Sequence, residues 1–144
     1  MRKLTKMEQL ELEKTSGAHT FEVTKTWLGN ACPDATRGIR AVLSEAGLVD
    51  YKELGNGTEN RVFVPIAYEN GEEAEASCYR TKTRGDNRIN FKNLKDYAQA
   101  GDIMAISLVR GKVVLTNLSR RAAGAVIAVV FAVGSLPAVP ALFS

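Results

Sequence analysis

Two dipeptides, Asn70-Gly71 and Arg110-Gly111, constrain the fold of this chain more than any other feature. A tight hairpin turn needs a positive φ at its central residues, which Gly and Asn adopt at low cost. Asn70-Gly71 separates the alternating runs "RVFVPIAYE" and "EAEASCYRTK", and Arg110-Gly111 separates "IMAISLV" from "KVVLTNL". Each arrangement folds the chain back on itself as a pair of antiparallel strands. "FEVTKTWL" alternates as well, with Phe21 and Val23 opposite Glu22 and Thr24, and predicts a strand over 21–28 with Trp27 in the core. Helix punctuation is confined to "CPDATRGIRAVLSEAG", where Asp34 or Thr36 caps the start, Ile39, Val42 and Leu43 share a face, and Gly47 stops it. "NLKDYAQAGD" reads as a turn or one short helix. The expected class is mostly β with one or two short helices, an open, mostly antiparallel sheet or barrel without βαβ alternation.

A chain of 144 residues is long enough for one domain with a core. Residues 1–13 read as an N-terminal arm or short helix, 14–119 as the domain, and 120–144 as an apolar segment of unknown role. From Ala122 to Phe143 there are 22 residues without a charge, a length that can span a bilayer. Pro137 and Pro140 shorten any helix there, and seven alanines keep it weakly hydrophobic, so a core helix, an oligomer contact or the start of a further domain are together favoured over a membrane span. "MRKLTKMEQLELEK" is too charged for a signal peptide, and Cys32 and Cys78 have neither metal nor disulfide spacing; a reducing cytoplasm is expected.

Enzyme chemistry finds little support. The single histidine, His19, lies in a polar stretch without a nucleophile to activate, and no phosphate loop, metal site or cofactor is expected. One pattern points the other way. Pro33-Asp34 followed by Asp50-Tyr51-Lys52 fits the spacing of metal-dependent nucleases, in which two acids bind magnesium and the lysine assists the attacking water. A minimal nuclease using Asp34, Asp50 and Lys52 is therefore an alternative, as is a membrane-tethered interaction module held by the apolar tail.

Charge distribution carries the leading reading. The stretch from Tyr79 to Lys95 holds six basic residues, Arg80, Lys82, Arg84, Arg88, Lys92 and Lys95, and one acid, Asp86. A cationic face on one hairpin matches the nucleic-acid footprint, although basic residues also protect a solvated edge strand. Arg offers a fork to guanine, Asn pairs with adenine and Asp accepts from cytosine, so an acid among the cations points to base reading, or to an acid that orients the arginines, over phosphate contact alone. On a continuous strand Lys82, Arg84, Asp86 and Arg88 would share one face.

These segments resemble the N-terminal effector-binding domain of EcoRII-type restriction endonucleases, whose DNA-binding pseudobarrel is shared with plant auxin-response-type factors. "TSGAHTFEV" is similar to the family's first arm and "CYRTKTRGDNRINF" to its second. The resemblance spans about residues 14–118 and implies an open antiparallel pseudobarrel gripping the major groove. It assigns DNA contacts to Arg80, Lys82, Arg84, Asp86, Asn87, Arg88 and Lys92, and to Lys14, Thr15, Ser16 and His19. Asp86 stands in place of an expected glutamate. The implied function is recognition of a short site in double-stranded DNA, with no small-molecule substrate and with cleavage left to a separate nuclease domain or subunit.

Overall fold

The computed structural model describes residues 18–29 and 32–120. Among them six strands form one sheet: β1 (His19–Glu22), β2 (Val62–Tyr68), β3 (Glu73–Arg80), β4 (Asn87–Phe91), β5 (Ile103–Val109) and β6 (Lys112–Asn117). Their order across the sheet is β1-β5-β6-β2-β3-β4, and the sheet curls into an open half-barrel. Two helices, α1 (Lys25–Leu28) and α2 (Arg37–Glu45), lie between β1 and β2 in the chain.

Both hairpins form where the turn chemistry places them. Val109 pairs with Lys112 across Arg110 at φ 51° and Gly111 at φ 82°. Ala67 pairs with Glu73 across a longer loop that contains Gly71 at φ 88°. The expectation of an antiparallel sheet needs one correction. β2 and β6 run parallel, Ala67 opposite Val114 and Tyr68 opposite Leu115, and join two antiparallel halves. A parallel neighbour requires a long crossover, which β3, β4 and β5 provide, and such pairing leaves no local turn signal in the sequence.

The strand expected over 21–28 is also corrected. β1 ends at Glu22, the Val23 N–H donates to the Asp102 carbonyl at 2.8 Å, and α1 begins two residues later. Val23 and Trp27 are four residues apart, a spacing that puts both on one side of a strand and on one side of a helix. Both are buried, and the Trp27 ring stacks on Phe91 with centroids 5.4 Å apart. Thr36, rather than Asp34, caps α2 by accepting from the Ile39 N–H, and Ile39, Val42 and Leu43 fill the core. Gly47 ends the helix at φ 73°. The free edge of β4 is covered by residues 33–35: the Ala35 N–H donates to the Asn87 carbonyl at 2.9 Å, and the Ile89 N–H donates to Pro33 at 3.1 Å.

Candidate nucleic-acid interface

The basic segment is a turn, not a strand. β3 stops at Arg80 and β4 starts at Asn87, so Lys82, Arg84 and Asp86 belong to the connecting loop and do not share a strand face. Alternation fails here because the local hydrogen bonds close a tight turn. The Thr81 N–H donates to the Asp86 carbonyl at 2.9 Å, Gly85 to Thr81 at 3.0 Å, and the Asp86 N–H to Thr81 Oγ1 at 2.8 Å. Gly85 adopts φ 70°, and its missing Cβ leaves room for Arg80 Nη2.

Two of the expected readers brace the loop. Arg80 Nε donates to the Gly85 carbonyl at 3.1 Å, and its Nη1 reaches Leu54. Arg88 projects from β4 between two acids, 3.0 Å from Asp34 and 3.4 Å from Asp86. Asn87 pairs with Arg80 across the hairpin and accepts from Ala35 through its carbonyl. Arg84 remains displayed, its side chain 82% exposed and only loosely near Asp86 at 3.8 Å. Lys82 is likewise exposed, with its carbonyl accepting from Asn56.

His19 is the first residue of β1, opposite Ile106, not a loop residue. Its Nε2 lies 3.1 Å from Thr36 Oγ1, and its ring occupies the space a Cβ at Gly38 would need. The segment 34–36 therefore links the two expected arms: Thr36 meets His19 at one end, and Asp34 meets Arg88 at the other. Lys14, Thr15 and Ser16 lie outside the described residues, as do 1–13 and the apolar tail beyond Arg120.

A second surface joins the expected Arg88 and Lys92 to Arg61 and Phe63, which the sequence reading leaves out. The sheet face opposite the core carries Phe63, Ser77 and Asn90 in one cross-strand row and Tyr79 beside Arg88 in the next. Arg61 lies over the Tyr79 ring at 4.8 Å, and Lys92 leaves the end of β4. Burial and the neighbouring Cys32 hold the Tyr79 hydroxyl above the ordinary tyrosine range, so it stays neutral. The period-two pattern of "RVFVP" already sets Arg61, Phe63 and Pro65 on one face; the missed signal is a phenylalanine on a polar side.

The residues of the nuclease reading have other work. Asp34 pairs with Arg88, and Asp50 caps the 3-10 turn Tyr51–Glu53 by accepting from the Lys52 N–H. Among the described residues no three His, Cys, Asp or Glu side chains gather to hold a metal, and no helix is long and apolar enough to cross a membrane. Tyr51 is buried, which raises its pKa, and its hydroxyl donates to the Arg88 carbonyl at 2.8 Å. Comparison with known proteins returns no matching family model, no matching curated protein and no matching solved structure.

Proposed function

We propose that this chain is a sequence-specific double-stranded DNA-binding module, the recognition domain of a restriction-type system whose cleavage is carried by a separate nuclease domain or subunit. The observation that carries the reading is the β3–β4 turn, in which an arginine 82% exposed stands on a loop fixed by three backbone and side-chain bonds to Thr81. A cation on a fixed loop enters a groove with only its own side chain left to order, which favours base reading over loose phosphate contact. Arg84 and Lys82 then face the duplex, Asp86 and Arg88 orient the turn, and His19 flanks it through Thr36. The reading places the protein in the cytoplasm, where its two unpaired cysteines stay reduced.

The test is a selection from a randomised duplex pool at about 150 mM salt, a concentration at which weak phosphate binding is suppressed. A short enriched motif is expected. Retention without any motif, or no retention, overturns sequence-specific recognition.

A further inference from the structure

The sheet face opposite the core holds a groove of about 440 Å³, within the size range of small-ligand sites. Its lining includes Phe63, Ser77, Asn90, Arg61, Lys92 and a single acid, Glu75. Phe63 is the only large hydrophobic residue exposed among the described residues, at 61%. Folding does not use that ring: it points away from the core, on the face opposite the buried Val64 and the partly buried Val62.

Its neighbours are chemically specific. Ser77 is directly opposite Phe63 on β3, and Asn90 directly opposite Ser77 on β4. With strands about 4.8 Å apart, the three side chains span roughly 10 Å. Ser77 Oγ is buried without a hydrogen-bond partner, so a donor or acceptor of the face is left unmatched. Cations lie at both ends of the row, Arg61 just before β2 and Lys92 just after β4. A flat aromatic platform, an amide and a hydroxyl beside it, and cations on either side match a base, its polar edge and the flanking phosphates.

We infer that this groove binds an unpaired nucleotide: the base stacks on Phe63, its edge meets Asn90 and Ser77, and Arg61 and Lys92 hold the phosphates. The inference deepens the nucleic-acid reading above by naming a second site, apart from the Arg84 turn but sharing Lys92 with the duplex contacts, for a single-stranded or extrahelical segment.

The test titrates the purified chain with three fluorescein-labelled probes: a twelve-nucleotide thymidine strand, an abasic strand of equal length, and a random-sequence duplex. The thymidine strand is expected to bind more tightly than the abasic one. Phe63→Ala should weaken thymidine binding roughly five- to hundredfold, the range that stacking on one aromatic ring supplies, and leave the duplex titration unchanged. Asn90→Ala, on an independent residue, should weaken the same probe. Urea unfolding of both variants beside the parent shows that the fold persists. Equal binding of the thymidine and abasic strands, no single-strand binding, or Phe63→Ala and Asn90→Ala variants that bind like the parent overturns the inference. Thymidine binding leaves this site standing whatever the duplex selection returns, and a selected duplex motif without thymidine binding sinks only this site.

Discussion

Arg88 and Asp34 close an ion pair of 3.0 Å between β4 and the segment that covers its edge. Asp34 is 75% exposed and Arg88 30%, so the pair adds only ~0–1 kcal/mol to stability. Its consequence is geometric. The Arg88 guanidinium also lies 3.4 Å from Asp86, and one side chain thereby connects the basic turn to the segment that carries Thr36 and, through it, His19.

Arg84 and Arg88 consequently have separable roles in the proposed DNA binding. Arg84→Ala should leave the urea midpoint unchanged, cost ~1–3 kcal/mol of binding to the selected site and relax preference at one base position. Arg88→Ala should lower affinity across several positions, because it unlinks Asp86 of the turn from Asp34. Titration against every single-position variant of the selected site distinguishes them. An Arg84→Ala profile that falls evenly at all positions removes its role in base reading.

Lys92 should act through charge alone. It makes no ion pair among the described residues, while its backbone is held by Glu75 and by the Tyr68 hydroxyl. Lys92→Gln is expected to weaken duplexes of any sequence alike and to reduce the slope of log affinity against log salt by about one. A salt series from about 50 to 200 mM measures it. An unchanged slope would show that Lys92 touches no phosphate.

Much of this architecture is legible in the sequence because its causes are local. Asn70-Gly71 and Arg110-Gly111 set their hairpins through backbone conformation, and Thr36 and Gly47 bound α2 through capping. The parallel β2–β6 seam has no local cause, since it results from how the two halves close around the core. The shared strand face for Lys82, Arg84, Asp86 and Arg88 does not form, because alternation in charge imitates alternation in exposure, whereas Gly85 and the Thr81 hydroxyl decide the backbone. For the candidate site, the basic residues are visible as composition. Which ones brace and which face solvent depends on Asp34, Leu54 and Cys32, far away in sequence.

The contact between His19 and Gly38 reverses an ordinary helix rule. Replacing a helical glycine by alanine usually stabilises by about 0.5–1 kcal/mol. At Gly38 the new Cβ would occupy the space of the His19 ring and break its contact with Thr36. Gly38→Ala should therefore destabilise, by ~1–3 kcal/mol if the ring is forced to repack. In a His19→Ala background the same change should stabilise. Urea unfolding of the four proteins completes the cycle, and the same sign in both backgrounds would dismiss the clash.

Acid stability should depend on Asp102. Its Oδ2 accepts from the Gln99 N–H at 2.9 Å, from Asn117 Nδ2 at 3.0 Å and from Arg120 Nε at 3.1 Å. Desolvation alone would raise its pKa, but these donors outweigh it and hold the carboxyl below the ordinary carboxylate value. For a group depressed in the folded state, the stabilisation is fully present above the unfolded pKa of about 3.9 and is lost as pH falls through the folded value. Asp102→Asn should accordingly lower the urea midpoint at about pH 7, and the gap to the parent should narrow below about pH 4. Midpoints recorded from about pH 7 to pH 2 give the comparison. A gap of constant size over that interval would mean that Asp102 takes up its proton equally easily folded and unfolded, and that the three donors hold it by shape rather than by charge.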